Sequence, residues 1–175
     1  MAGYKGVGIV FVRAQVRAAR CEDAVLESLS PGARDTWRQA TAGGWYPMEH
    51  AIEMFTRAAP LLFPGSPSPL RELGRAMAQD NLGGVYRHIV RLLSVPFLIK
   101  QTMVFWRLYH NAGRATCTSQ EKSAVVTLYE YPDCPERFRE CLCGWIAGAV
   151  EVCGGTNARV LKEDGDPFVW RVTWK

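Results

Sequence analysis

Residues 135–174, PERFRECLCGWIAGAVEVCGGTNARVLKEDGDPFVWRVTW, decide the fold. Pro135 can open a helix, because its missing N–H costs nothing in a first turn. Phe138, Cys141, Leu142, Trp145, Ala149 and Val152 then recur every three or four residues, a stripe that faces a core. Gly144 and Gly148 stand four apart on a neighbouring face, where small residues let another backbone come close. Gly154-Gly155 closes the helix. Two short runs follow, 158–161 and 168–174, joined across residues 163–166, where Asp164-Gly165 is a hairpin signal. A long helix followed by a hairpin predicts an α+β fold, with an antiparallel sheet of about four to five strands packed against a helical layer.

Working outward, residues 115–119 and 124–131 are rich in Thr, Val and Tyr and read as a second hairpin linked by Gln120-Glu121-Lys122. In the second run Ala124, Val126, Leu128 and Tyr129 do not alternate cleanly. The helical layer is predicted from 70–81, broken by Gly83-Gly84, then 85–93, then 97–110. The loop 64–69 leads into it, with Ser68 as a cap and Pro69 at the first helical position. Trp45-Tyr46-Pro47-Met48-Glu49 opens an earlier helix whose buried face is Ile52, Phe55, Ala58 and Ala59, limited by Pro60. Shorter helices are predicted near 22–29, stopping at Ser30-Pro31-Gly32, and near 33–40. Residues 6–17 have two readings. Val10, Val12, Ala14, Val16 and Ala18 alternate as in a strand, while Arg13, Arg17 and Arg20 share a helical face. The strand is the reading adopted.

The chain has 175 residues, enough for one domain spanning 1–175 that buries on the order of 70% of its unfolded surface. A net charge of +4, with no run of basic residues, gives no footprint for nucleic acid. The apolar stretch 97–109 is interrupted by Lys100, Gln101 and Arg107, so no membrane span is expected. Six cysteines, with arginines where a signal peptide would be apolar, point to free thiols in a reducing cytoplasm.

No catalytic constellation is legible: there is no G-x-S-x-G, Walker loop or G-x-G-x-x-G. Cys141 and Cys143 lie two apart, on roughly opposite sides of a helix, which is poor geometry for a shared zinc with Cys134 or Cys153. No metal site is therefore expected. His88 and His110 are lone histidines near apolar residues, a pattern compatible with haem ligation. His110, ending a helix, also suits a cation at a helix C-terminus. No cofactor is assigned from these residues. Phe97, Met103, Phe105, Trp106 and Tyr109 make an aromatic helix that, with Trp145, either fills a core or lines a pocket for a planar or acyl ligand. Gly144 and Gly148 likewise have two readings, close packing on the sheet or a functional role as a dimer contact or the floor of a ligand pocket.

The order of landmarks from Trp45-Tyr46-Pro47 through Arg71-Glu72-Leu73-Gly74-Arg75, Trp106-Arg107-Leu108-Tyr109, Cys143-Gly144-Trp145 and Gly165-Asp166-Pro167 resembles a paralogous family of myxobacteria and other deltaproteobacteria. That family is distantly similar to the 4-vinyl reductase domain, the haem-nitric oxide/oxygen domain and subunits of the TRAPP vesicle-tethering complex. The resemblance implies an antiparallel sheet against helices, a tendency to dimerise and a cavity for small hydrophobic ligands. The zinc-holding cysteines of the 4-vinyl reductase group are missing, since Leu161-Lys162 and Val169 stand near those places. The Tyr-x-Ser-x-Arg motif of the haem-binding relatives is missing too. The expectation is a non-enzymatic cytoplasmic sensory or regulatory module that binds a small hydrophobic ligand, a protein partner or both. Phe97, Met103, Trp106, Tyr109 and Trp145 are the pocket candidates, and Gly144 and Gly148 the interface candidates. The alternatives are a homodimeric scaffold with a filled core and, further off, an enzyme acting on a tetrapyrrole or aromatic substrate.

Overall fold

The structure is a computed structural model that describes residues 2–83, 95, 101–131 and 134–175. Its elements, numbered among these residues, begin with β1 (Gly3–Lys5), α1 (Gly6–Ala18), α2 (Glu22–Ser28), α3 (Pro31–Gln39), β2 (Trp45–Pro47) and α4 (Met48–Leu62). There follow α5 (Pro69–Gly83), α6 (Thr102–Tyr109), β3 (Arg114–Gln120), β4 (Ser123–Tyr129), α7 (Glu136–Val152), β5 (Arg159–Glu163) and β6 (Phe168–Thr173). The fold is α+β. Strands β3, β4, β6 and β5 form a four-stranded sheet in that order, every neighbour antiparallel. The helices predicted over 85–93 and over the first part of 97–110 lie outside the described residues.

The N-terminal strand expected over 6–17 is a helix instead. Ile9, Val12 and Val16 are fully buried, while Ala14 and Ala18, which an alternating strand would hide with Val12 and Val16, are exposed. The i, i+3, i+7 stripe therefore overrides the alternation. Arg13 does more than solvate a face. Its guanidinium donates to the carbonyls of Trp37 and, at 2.9 Å, Ala40. Those are among the unpaired acceptors at the end of α3. Arg17 pairs with Glu22 at 2.9 Å, and Glu22 also accepts from the Trp37 indole at 2.9 Å.

Ser30-Pro31-Gly32 ends one helix and starts the next. The Ser30 hydroxyl accepts from Ala33 N at 3.4 Å, with Pro31 at the first helical position. Trp45-Tyr46-Pro47 does not open α4 directly. It pairs as β2 with β1, Tyr4 opposite Tyr46, and this short ribbon is too brief to show any period in sequence. Pro60 sits inside α4, which ends at Leu62.

The hairpins match expectation. Ala124, Val126 and Leu128 do share one face of β4, with Tyr129 beneath the Arg114 guanidinium on the strand's edge, 4.9 Å from ring centroid. The inner face of the sheet, including Trp170 and Val172 from β6, packs toward α7.

Helix α7 is clamped between that sheet and α5. At the α5–α7 seam a Cβ on Gly74 would lie 1.9 Å from Cys141 O, one on Gly144 1.8 Å from Arg71 O, and one on Gly148 2.8 Å from Arg75 O. Only glycine permits backbones to meet this closely. The expected close packing is therefore present, but against a helix rather than the sheet. Gly144 and Gly148, the interface candidates, face α5 of the same chain. Polar pairs brace the same helix: Glu140 meets Arg71 at 2.6 Å and Lys162 of β5 at 3.2 Å.

Candidate ligand cavity

Between α6, α7 and the inner face of the sheet lies a cavity of about 110 Å³. Its wall is almost wholly apolar. Helix α6 supplies Trp106 and Tyr109, α7 supplies Phe138, Trp145 and Ile146, β4 supplies Ala124 and Val126, and β6 supplies Trp170. From the far end of the chain come Tyr4 and Phe55, which touch edge to face at 5.5 Å between ring centroids.

Three of the pocket candidates read from sequence, Trp106, Tyr109 and Trp145, converge on this wall, with the Tyr109 and Trp145 rings 6.1 Å apart. Met103 is half-buried on α6 and lies outside the wall. Phe97 lies outside the described residues. The sequence offered no reason to add Tyr4, Phe55 or Trp170, which are distant in the chain. Their only signal was size and apolarity, shared with every core residue.

Trp106 organises the inner end of the cavity. Its indole donates to Ala112 O at 2.8 Å, so its single polar atom is satisfied. The His110 ring stacks on it at 3.9 Å between centroids and 20° between planes. Tyr131 meets it edge-on at 5.9 Å, and Phe138 lies 6.3 Å away, tilted. His110 is further enclosed by Tyr4 at 5.2 Å and Phe138 at 5.3 Å. Its Nδ1 is buried without a hydrogen-bond partner.

The electrostatics follow from burial. Desolvation pushes the His110 imidazole down to about 3, so the ring is neutral at pH 7. The helix-terminal cation expected at this position is thereby corrected: His110 caps the end of α6 as an uncharged core ring, and burial outweighs any attraction to the helix end. Burial likewise raises the Cys141 thiol to about 12 and the Tyr4 phenol well above its ordinary value. Both stay protonated, so the described wall of the cavity is electrically neutral. Among the described residues no three His, Cys, Asp or Glu side chains are grouped to hold a metal ion. All six cysteines are free thiols.

The sign of the pH dependence is fixed by this depressed value. Unfolded, the imidazole takes up a proton near pH 6.5, whereas folded it resists until about 3. The stability tied to its neutrality is fully present above the unfolded value and is lost as pH falls toward the folded one. Urea unfolding at pH 7.5 and 5.5 is expected to show a loss on the order of 1 kcal/mol from this group. The His110→Phe variant is expected to lack that component; an equal loss in the variant would assign it elsewhere.

No helix among the described residues is long and apolar enough to cross a membrane. No family model and no curated protein sequence matches the chain. Solved structures do match. An Fe(II) unliganded H-NOX protein from K. algicida superposes with a TM-score of 0.69 at 11% identity, over 98% of this chain and 96% of its own. An Fe(II) H-NOX protein from S. oneidensis gives 0.68 at 14% identity over 98% and 96%. An oxygen-binding H-NOX domain related to soluble guanylate cyclases, solved in its oxygen complex, gives 0.65 at 15% identity over 98% and 95%. At these identities the likeness establishes one thing: the chain has the H-NOX fold.

Proposed function

We propose that this chain is a non-enzymatic sensory module whose input is a small, largely apolar molecule held between α6, α7 and the sheet. The observation that carries the reading is the cavity itself, about 110 Å³ with an aromatic, uncharged wall. An apolar space on this scale stays dry and takes up molecules such as benzene or xenon. A filled core, as a pure scaffold needs, would leave no such space. The fold supports the sensory side of the reading, since it is shared with a domain that binds oxygen.

Haem is the group that fold neighbours bring to mind, through structures concerned with haem distortion. The described residues do not fit it. The space is several times too small for a tetrapyrrole, given that drug-sized ligands need about 300 Å³ or more. Among the described wall residues there is no arginine or lysine to meet propionates. The histidine of the wall is stacked flat on Trp106 as part of the core. His88, the other haem candidate, lies outside the described residues.

Helix α6 offers an output. Trp106 faces the cavity, while Val104 and Leu108, one turn apart, are 55% and 53% exposed. Occupancy that shifts Trp106 would move this outer apolar pair, a surface suited to a protein partner or a second copy. The proposal includes a cytoplasmic setting, the chain acting as a single unit, and membership of the myxobacterial family whose landmarks it carries.

The test is thermal. Benzene at saturating concentration is expected to raise Tm by several degrees, as ligand linkage requires. Ala124→Leu, which puts three more carbons into the cavity, should abolish the rise. If benzene leaves Tm unchanged, or raises it equally in the variant, the cavity is not a binding site.

A further inference from the structure

We infer that the preferred ligand is a neutral molecule with one hydroxyl on a benzene-sized apolar body, and that His110 is the residue that receives the hydroxyl. The inference rests on the cavity reading and names the ligand's chemistry. Two independent observations meet at this residue. His110 stands in the cavity wall, and it is the one wall residue among the described residues with a buried polar atom lacking a hydrogen-bond partner. Leaving a buried nitrogen unpaired forfeits the hydrogen bond that water would have given it. A phenylalanine would satisfy the stack on Trp106 and the contacts with Tyr4 and Phe138 without that penalty. The imidazole is therefore an expense with no structural return, and a ligand hydroxyl that donates to it supplies the missing bond. A half-turn of the ring about χ2 exchanges Nδ1 with Cδ2 and keeps the stack on Trp106.

The chemistry of the wall narrows the partner further. The imidazole is neutral, and no acidic or basic side chain lines the cavity among the described residues. A carboxylate or ammonium would enter unpaired at prohibitive cost. A purely hydrocarbon ligand would fit but leave the nitrogen orphaned. One hydroxyl on an aromatic ring matches both the volume and the single hydrogen-bond vacancy among the described wall residues.

Phenol and toluene differ only by hydroxyl against methyl, at equal size. A purely apolar cavity takes toluene and rejects phenol, since the hydroxyl loses its water partners. Isothermal titration of the whole chain with each is expected to show phenol bound within tenfold of toluene. In His110→Phe the phenol-to-toluene affinity ratio should fall at least tenfold. Nitrogen-detected NMR of the wild type, which depends on no variant, should show the imidazole acceptor nitrogen moving upfield with phenol and not with toluene. Toluene binding with phenol excluded, or a phenol ratio unchanged by His110→Phe, overturns this inference and leaves the cavity reading standing. Binding of neither compound overturns the cavity reading itself, and this inference with it.

Discussion

Gly144→Ala is expected to cost about 3 kcal/mol or more in stability, at the upper end of what overpacking produces. The new methyl would stand 1.8 Å from the Arg71 carbonyl oxygen, where two backbones already touch. Non-bonded carbons and oxygens rest at about 3.5 Å, so α5 and α7 must part along their length. Parting them also loosens the reciprocal contact of Gly74 with Cys141 O, where a Cβ would lie 1.9 Å away. Neither obstacle is a flexible side chain that could swing away. Gly43, where an added methyl would meet nothing within 4 Å, serves as the control; Gly43→Ala should stay within about 0.5 kcal/mol of wild type. Urea denaturation of both variants checks the contrast. Equal stabilities would mean the seam is not the close contact described.

Trp106→Ala is the second large effect, expected at about 3–5 kcal/mol. The loss combines a buried indole, its bond to Ala112 O at 2.8 Å and the support it gives His110, Tyr131 and Phe138. The substitution also enlarges the cavity toward the shape of the ring removed. Added indole should restore on the order of 1 kcal/mol at a few times its dissociation constant, and should do much less for wild type. A variant that is destabilised yet indifferent to indole would place Trp106 in a core that collapses around the gap.

The contrast between these two positions explains what the sequence disclosed. Helix α7 and both hairpins were legible because their signals are local: a stripe at helical spacing, Asp164-Gly165 between strands, paired glycines at the helix end. The close approach at Gly144 and Gly148 was legible too, but its partner was not, because spacing along one helix says nothing about which element lies opposite. Helix α1 is ambiguous in sequence because alternating valines and alanines satisfy a period of two and a helical stripe together. Burial of Ile9, Val12 and Val16, with Ala14 and Ala18 exposed, resolves the ambiguity through tertiary contact.

The cavity was half legible. Trp106, Tyr109 and Trp145 announced an aromatic cluster, yet whether it was filled depended on Tyr4, Phe55 and Trp170 arriving from other parts of the chain. The same holds for His110. In sequence it ends a helix and invites a positive charge. Packed among Trp106, Tyr4 and Phe138 it is neutral, and its unpaired nitrogen follows from enclosure that no neighbouring residue encodes.

The central claim is that an apolar space open to a ligand exists behind Trp106. Diffraction from crystals held under xenon pressure tests it most directly, because xenon occupies dry apolar cavities without needing a specific partner. A strong xenon peak is expected between Trp106, Phe138, Trp145 and Trp170, absent in Ala124→Leu. Wild-type crystals with no xenon at that place, the side chains closed over it, would contradict the account and leave a scaffold with a filled core.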